Sequence, residues 1–248
     1  MLEIKNLSFA VDADGKDKEI IKNISLEIPD GKLYVITGPN GGGKSTLAKL
    51  IAGIEQPSEG TINFCGEDVT FLSVTERAKR GIAFAFQQPV RFKGIRVLDL
   101  IRLASGKNLT PAQACSYLSQ VGLCAREYID REVNASLSGG ELKRIEIATV
   151  LARNALLTVF DEPEAGIDLW SFHNLIDVFK KQRDEIKNRS ILIISHQERI
   201  LSIADEIIVL RDGELIRQGE REEVLPDLIG TSSAVKECRG VTQGVDQC

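Results

Sequence analysis

The stretch Gly38-Pro39-Asn40-Gly41-Gly42-Gly43-Lys44-Ser45-Thr46 fits the pattern G-x-x-x-x-G-K-[ST]. Glycines lack a Cβ atom, so such a loop can curl around a phosphate with its backbone N–H groups pointing inward. In this pattern Lys44 reaches the β- and γ-phosphates of a nucleotide, and Ser45 supplies a hydroxyl ligand for Mg²⁺. The stretch therefore predicts a phosphate-binding loop, the alternative being an ordinary glycine-rich turn.

The residues on both sides of this loop support the first interpretation. Residues 33–36 are apolar and predict a short buried parallel strand, whereas residues 44–52 predict a helix that ends at Gly53. A loop that feeds a helix N-terminus is an anion site, because the first N–H groups of the helix have no partner within it. We therefore expect strand, loop and helix to form one phosphate-binding unit.

Composition limits the other classes of function. The chain has 248 residues, of which 43% are hydrophobic, enough for one large domain or a core with an inserted subdomain. A net charge of −5 argues against nucleic acid as the main partner. The apolar runs are far shorter than the roughly 20 residues of a membrane-spanning helix, and residues 1–5 do not resemble a signal peptide. The expectation is a cytosolic protein without direct membrane insertion.

The cysteines do not form a recognisable site. The chain has five of them, and no two are spaced as C-x-x-C; they are Cys65, Cys115, Cys124, Cys238 and Cys248. This scatter favours reduced thiols over a disulfide framework, a zinc site or a set of iron–sulfur cluster ligands.

The pattern of strands and helices predicts an α/β fold. Strands are predicted at 2–11, 20–28, 61–64, 82–86, 156–160, 191–194, 207–210 and 214–218, the first two forming an N-terminal antiparallel β region. Helices are predicted at 75–80, 97–104, 111–121, 138–153 and 169–186. We expect a single domain over 1–248, with a nucleotide-binding core (1–87 and 151–225), an inserted helical subdomain (88–150) and a weakly ordered C-terminal tail (226–248).

Two carboxylates follow the buried strand at 156–160. Ligands of open α/β sheets bind at the carboxyl ends of the strands, and successive strand residues point to opposite sides. Asp161 is therefore a candidate Mg²⁺ ligand, while Glu162, facing elsewhere, is a candidate to polarise an attacking water. The alternative is a pair of solvated acids in a turn.

The segment Ser138-Gly139-Gly140-Glu141 opens the helix at 138–153. It has the form of a capping box, in which Ser138 bonds forward and Glu141 bonds back. The paired glycines also leave N–H groups available to an anion. The structural and the functional interpretation are compatible.

Together with the phosphate loop, this segment makes the chain resemble the ATP-binding-cassette ATPases over nearly its full length. The resemblance implies a P-loop fold of that type, ATP and Mg²⁺ as cofactors, and ATP hydrolysis. It also implies that Ser138, Gly139 and Gly140 contact the γ-phosphate bound to a second subunit, so that two chains form an ATP-dependent head-to-tail homodimer.

The same resemblance assigns roles to further residues. Gln87 matches the glutamine that touches Mg²⁺ and the water and joins the helical subdomain. Asp168 matches the loop that crosses the dimer interface, and His196 matches the histidine that contacts the γ-phosphate. Val11 stands where the family usually has an aromatic residue that stacks on adenine. Phe9, on the same face of the strand, is the candidate substitute.

Three stretches are similar to the ATPase of the SUF iron–sulfur cluster assembly system, namely residues 81–90, 161–168 and 194–201. Pro163 and residues 169–172 depart from that pattern. This similarity implies partners of the SufB/SufD scaffold type and no iron on the ATPase itself. The main alternative is the ATP-binding subunit of a membrane transporter, docking through residues 88–96. A soluble cassette of DNA repair or translation is less favoured, because a second cassette and a long coiled coil are both lacking.

Overall fold

A computed structural model describes residues 1–13, 16–134, 136–185 and 187–239. Its strands are β1 (Leu2–Ala13), β2 (Lys16–Ile28), β3 (Leu33–Thr37), β4 (Glu59–Phe64), β5 (Glu67–Asp68), β6 (Ile82–Ala85), β7 (Leu157–Asp161), β8 (Ser190–Ile194), β9 (Glu206–Arg211) and β10 (Glu214–Glu220). Its helices are α1 (Lys44–Ala52), α2 (Val74–Arg80), α3 (Val97–Ser105), α4 (Pro111–Gln120), α5 (Ala125–Tyr128), α6 (Gly139–Arg153), α7 (Leu169–Glu185), α8 (Glu198–Leu201) and α9 (Arg221–Arg239).

The larger of two sheets holds the phosphate loop. Its strand order is β10-β9-β3-β8-β7-β6, with β10 antiparallel to β9 and the other neighbours parallel. The strands β3, β7 and β8 are buried at every position, as expected where both faces of a parallel sheet are covered. The carboxyl ends of β3 and β7 therefore meet at one edge, with β8 between them.

The second sheet is antiparallel, with the order β2-β1-β4-β5. Leu2 of β1 pairs with Ile28 of β2 on one side and with Phe64 of β4 on the other. Apolar side chains of this sheet and one face of the larger sheet form a common core around α1, which contributes Leu47, Leu50 and Ile51. The phosphate-loop helix is thus enclosed between the two sheets.

The opposite face of the larger sheet packs against the helical part of the chain. Leu33 and Val35 of β3 belong to this second core, together with residues of α3, α4, α6 and α7. The alternation along β3 explains why its other side chains, Tyr34 and Ile36, face α1 instead. The central sheet therefore links the nucleotide side of the molecule to its helical side.

A buried arginine fixes the far end of the phosphate-loop helix. The Arg77 guanidinium donates to the carbonyl oxygens of Leu50 (2.6 Å) and Ile51 (2.9 Å), in the last turn of α1, and to that of Thr70 (2.6 Å). Burial lowers the pKa of Arg77 to about 10. These bonds satisfy carbonyls that a helix C-terminus leaves without intrahelical partners, so α2 anchors α1.

The predicted α/β fold, the N-terminal antiparallel region and the inserted helices are confirmed. The helix predicted at 44–52 has those bounds, and Ser138 and Glu141 form the predicted capping box. Residues 226–239, predicted to begin a weakly ordered tail, instead continue α9, which includes Pro226. The remainder of that segment, 240–248, lies outside the described residues. Among the described helices, none has the length and apolar character needed to cross a membrane.

Candidate active site

The phosphate loop, which joins β3 to α1, lines an open cleft of about 720 Å³. The residues that line it come from β2, the phosphate loop, the ends of β6 and β7, and the β9–β10 hairpin. They are Lys18, Glu19, Ile20, Lys22, Asn40, Gly41, Gly42, Gly43, Lys44, Ser45, Thr46, Gln87, Glu162 and Asp212. The structure therefore brings together most of the residues that the sequence assigned to phosphate binding and hydrolysis.

Two glycines of the loop are required by close backbone contacts. Gly38 has a φ of +138°, and a Cβ atom there would lie 1.9 Å from the carbonyl oxygen of Leu210 in β9. Gly43 has a φ of +93°, and its Cβ would lie 3.0 Å from the carbonyl oxygen of Ile20 in β2. Larger residues are thus excluded at both ends of the loop, which lets the backbone bend between two strands.

Lys44 is held in place from within the loop. Its Nζ donates to the carbonyl oxygens of Gly38 at 2.9 Å and Pro39 at 2.8 Å, and the residue is only 6% exposed. Burial lowers the pKa of Lys44, whereas the nearby carboxylates of Glu162 and Asp161 act in the opposite direction. The loop thus positions a cation at the point where the phosphates of a nucleotide are expected.

Ser45 and Asp161 meet below the cleft. Ser45 Oγ donates to Asp161 Oδ1 at 2.9 Å, although the two residues are 116 positions apart in sequence. Asp161 is 3% exposed, and burial raises its pKa. A hydroxyl beside a carboxylate is a suitable donor set for Mg²⁺, which prefers oxygen ligands. A buried carboxylate also gains from a cation that compensates its charge, so the residues present fit the metal that the sequence predicted.

Glu162 leaves the strand in a left-handed conformation, with a φ of +43°. Such a conformation is uncommon for a residue with a Cβ and marks strained sites that the surrounding structure enforces. Its N–H donates to the Ile194 carbonyl at 3.0 Å, and its Oε2 accepts from Gln87 Nε2 at 2.6 Å. The backbone turn after Asp161, and not the simple alternation used in the prediction, directs Glu162 into the cleft.

A buried ion pair on α6 holds the segment that carries Gln87. Lys143 is fully buried, and its Nζ donates to the carbonyl oxygens of Phe86 and Gln87 (3.2 Å for the latter) and lies 3.2 Å from Glu146 Oε2. Glu146 Oε1 accepts from the Phe86 N–H at 3.1 Å. Burial raises the pKa of Glu146, and Lys143 opposes that shift. Residues 138–141, which we call the signature segment, begin α6. Through Lys143 and Glu146 this helix is connected to Gln87, the glutamine that contacts Glu162.

The signature segment itself lies outside the cleft of its own chain. The Glu141 N–H donates to Ser138 Oγ at 3.2 Å, and the Ser138 N–H donates to Glu141 Oε2 at 2.6 Å. The side chain of Tyr128 also bonds Glu141, and this bond contributes most to lowering the pKa of Glu141. Ser138 and Gly139 are exposed, and a Cβ on Gly139 would meet no atom within 4 Å. Their predicted role at a second subunit stays a prediction.

Asp168 and His196 also lie outside the residues that line the cleft. Asp168 caps α7, because its carboxylate accepts from the N–H groups of Trp170 and Ser171, each at 3.0 Å. His196 is exposed and follows Ser195, whose Oγ donates to Glu164 Oε1 at 2.5 Å. Burial raises the pKa of Glu164. The expected contacts of Asp168 with a partner and of His196 with phosphate therefore remain predictions.

The β2 side of the cleft was missed by the sequence reasoning. Lys18, Glu19, Ile20 and Lys22 line it, together with Asp212, and none of them belongs to a recognisable motif. They lie there because the Lys22 N–H donates to the Gly213 carbonyl at 2.8 Å, which joins β2 to the β9–β10 turn. Only the pairing of these two hairpins could have indicated them.

The expected adenine platform is not formed by an aromatic side chain. None of the described residues that line the cleft is aromatic. Val11, at the usual aromatic position, pairs across the strands with Lys18, which does line the cleft. Phe9, the candidate substitute, is partly buried and packs against the core around α1.

Within the described residues, no cluster of three or more histidine, cysteine or acidic side chains could hold a metal ion. Cys65 and Cys124 are exposed free thiols, and Cys115 is a partly buried one. The Ser45–Asp161 pair is thus a metal site only if phosphate oxygens and Gln87 complete it, as in sites where Mg²⁺ is held mainly by its substrate.

The buried position of Lys143 leads to a test of stability. Lys143→Met removes one partner of a buried charge pair and leaves the Phe86 and Gln87 carbonyls without their donor, so it should lower the free energy of unfolding by about 3 kcal/mol. Chemical denaturation monitored by circular dichroism measures the change.

Lys180→Met is the matched control, because Lys180 also pairs with an acid three residues away, Asp177 at 3.8 Å, but is exposed. Its loss should cost less than about 0.5 kcal/mol. Equal stability of the two variants would show that the contacts of Lys143 do not fasten α6 to the Gln87 segment.

Comparisons with known proteins agree with this geometry. The ABC transporter family model matches residues 21–165. An uncharacterized ABC transporter ATP-binding protein of Methanocaldococcus jannaschii is 38% identical over 216 residues, covering 84% of this chain and 86% of that protein. The iron-sulfur cluster assembly protein SufC of Plasmodium berghei is 34% identical over 235 residues, covering 88% of this chain and 63% of that protein.

A solved structure gives the same result for the fold. An ATP-binding cassette in a dimeric post-hydrolysis state, bound to ADP and Pi, superposes with a TM-score of 0.80 and 25% identity, covering 89% of this chain and 99% of that one. The family match spans more than half of the chain and includes the phosphate loop, the signature segment and the Asp161-Glu162 pair. The chain therefore belongs to the ABC transporter family and has the fold of its ATP-binding cassettes.

Proposed function

We propose that this chain is the Mg²⁺-dependent ATPase subunit of a cytosolic iron–sulfur cluster assembly complex. The observation that supports hydrolysis is the convergence of Lys44, Ser45, Asp161, Glu162 and Gln87 at one cleft, from three separate parts of the sequence. The stability of the fold does not require Glu162 to be strained and bonded to Gln87 beside the phosphate loop, so this arrangement favours a catalytic role.

The groups of the chain have distinct roles in this reaction. The loop N–H groups and Lys44 bind the β- and γ-phosphates and balance their negative charge. Glu162, held by its 2.6 Å bond from Gln87, orients a water for in-line attack on the γ-phosphorus and accepts its proton as the bond to ADP breaks. Ser45 and Asp161, together with Gln87, would hold Mg²⁺, which would supply further charge neutralisation on the phosphate oxygens.

A second copy of the chain completes the site in this proposal. Ser138 and Gly139 are exposed on the outside of the chain, and the helix dipole of α6 favours an anion at that end. ATP bound at Lys44 of one chain and touched by Ser138 of the other holds a head-to-tail dimer closed, and hydrolysis releases it. His196 and Asp168 act at the same interface.

Two observations favour scaffold proteins as partners. The chain is 34% identical to a relative named as an iron-sulfur cluster assembly protein. In addition, the segment 89–94 presents Val90 and Phe92 beside the cations Arg91 and Lys93, all exposed, which suits an interface anchor with a charged rim. Because Lys143 ties Phe86 and Gln87, just before this segment, to α6, opening and closing of the dimer would reach a SufB/SufD-type scaffold bound there.

The second candidate is the ATP-binding subunit of a membrane transporter. It is favoured by the name of the Methanocaldococcus relative and by an apolar groove beside the same segment, lined by Val74, Phe84, Phe86 and Ala104. The two candidates share the ATPase chemistry and differ in the partner.

The next prediction concerns the composite site, which is formed by the phosphate loop of one chain and the signature segment of the other. Glu162→Gln should keep ATP affinity and slow hydrolysis by about 10²–10⁴-fold, the scale of a general base, so the closed dimer should accumulate with ATP and Mg²⁺. Adding Ser138→Arg should prevent that dimer by filling the interface, while each chain still binds ATP. Light scattering and nucleotide-binding titrations measure the two properties.

Ser136→Arg is the matched control, because Ser136 is exposed two residues before the signature and should leave the dimer intact. A Ser138→Arg variant that dimerises as well as the Ser136→Arg variant would show that the signature does not face a second nucleotide.

A further prediction separates the two candidate partners. Full-length chain tagged in its native host and purified after mild crosslinking should carry soluble SufB/SufD-type scaffold subunits. Phe92→Asp in the exposed segment should reduce their recovery at least tenfold, whereas Phe71→Asp, at an exposed position outside the segment, should not. Recovery of an integral membrane permease in place of a scaffold would refute the iron–sulfur assignment and support the transporter.

A further inference from the structure

Two large apolar side chains are exposed side by side at the start of α7. Leu169 is 64% exposed and Trp170 is 83% exposed. Tryptophan is the side chain with the most apolar area to gain from burial, and an exposed apolar patch indicates a contact surface more often than a solvated one. Trp170 is also the only tryptophan of the chain, and the phosphate cleft does not use it.

The backbone fixes the position of this pair. The Asp168 carboxylate accepts from the Trp170 N–H, the Ser171 N–H and, at 2.6 Å, Ser171 Oγ. The next two residues of the helix, Ser171 and Phe172, are buried. Leu169 and Trp170 are therefore presented outward from a capped and anchored helix turn and not from an irregular loop.

The loop that leads to this pair approaches the signature segment. A Cβ atom on Gly140 would be 3.4 Å from the carbonyl oxygen of Gly166, which is three residues before Leu169. Gly139 has open space above it, and Ser138 is exposed. The loop that ends in Leu169 and Trp170 thus begins beside the glycines of the signature segment, whose serine is exposed.

We infer that Leu169 and Trp170 form an apolar anchor that packs against a second copy of this chain when the signature segment meets that copy's phosphate loop. This inference rests on the proposed function, since it uses the same closed pair. The hydroxyl and glycines of the signature bind phosphate but bury little apolar area, whereas stable interfaces depend on a few desolvated large side chains, tryptophan foremost.

A second copy is the occupant favoured by position and by symmetry. A signature that contacts a partner's nucleotide brings its immediate neighbours within reach of the same partner. In a two-fold pair every contact occurs twice, so one tryptophan per chain supplies two anchors. Each chain carries a net charge of −5, and short-range apolar contact offsets the resulting repulsion between copies.

The single tryptophan makes the test direct, because all tryptophan fluorescence reports on position 170. Full-length Glu162→Gln protein is titrated with ATP and Mg²⁺ while light scattering records association and acrylamide quenching records exposure. On dimerisation the emission should shift to shorter wavelength and the quenching constant should fall at least threefold. With ADP the protein should remain monomeric and its tryptophan fully quenchable.

Variants on the Glu162→Gln background show whether Trp170 stabilises the dimer or only changes its fluorescence when the dimer forms. Trp170→Ser should raise the dimer dissociation constant at least tenfold without changing ATP affinity of the monomer, and Trp170→Phe should restore most of the association. Phe71→Ser is the control, because Phe71 is 76% exposed in the β5–α2 connection, away from the signature, and should leave the constant unchanged.

The outcomes distinguish this inference from the proposed function. If the dimer forms but Trp170 stays quenchable and Trp170→Ser associates like its parent, the anchor is refuted and the composite site stands. If Trp170 becomes protected when scaffold subunits are added without ATP, and no dimer of the chain forms, the occupant is the scaffold and the inference is refuted. If ATP and Mg²⁺ produce no dimer with or without scaffold, the closed pair and its anchor both fail.

Discussion

The site depends on one constraint: two opposite charges, those of Lys44 and Asp161, are buried away from water beneath the phosphate loop. Lys44 and Asp161 are 6% and 3% exposed; Lys44 begins α1 after the loop that follows β3, and Asp161 ends β7. Burying an ion costs several kcal/mol unless hydrogen bonds and opposite charge compensate. Here the loop carbonyls hold the ammonium and Ser45 holds the carboxylate. In the proposed function, a nucleotide and its cation would complete this arrangement at little reorganisation cost.

The remaining parts of the fold maintain this arrangement. Gly38 and Gly43 let β9 and β2 approach the loop from two sides, and Arg77 secures the other end of α1. Lys143 and Glu146 then connect the edge of the cleft to the helix of the signature segment. One continuous set of contacts therefore runs from Glu162 in the cleft through Gln87 to α6. In the proposed function, these contacts transmit a structural change at the nucleotide to the outer surface of the helical subdomain, where the partner binds.

The sequence predicted the site residues that belong to short motifs. It did not predict those that reach the cleft only through tertiary contacts between distant parts of the chain. The loop, the capping box at Ser138 and the carboxylates at the end of β7 each carry a short pattern with a physical cause. Lys18, Lys22 and Asp212 carry none, because they reach the cleft only through the joining of two hairpins. The direction of Glu162 was predicted from strand alternation, yet a single left-handed residue decides it. Similarly, a weakly ordered tail was predicted from residue 226, but α9 continues through Pro226 to Arg239.

The most direct test of the account is phosphate release by the full-length chain, with scaffold subunits present if the chain alone is slow. Wild-type protein should release phosphate from ATP only with Mg²⁺, and Asp161→Asn should reduce the rate at least about 100-fold, because it removes the buried charge opposite the phosphates. Asp177→Asn, an exposed carboxylate on α7, should leave the rate unchanged. Hydrolysis by Asp161→Asn at the wild-type rate would contradict the claim that the Ser45–Asp161 pair serves a metal-assisted ATPase.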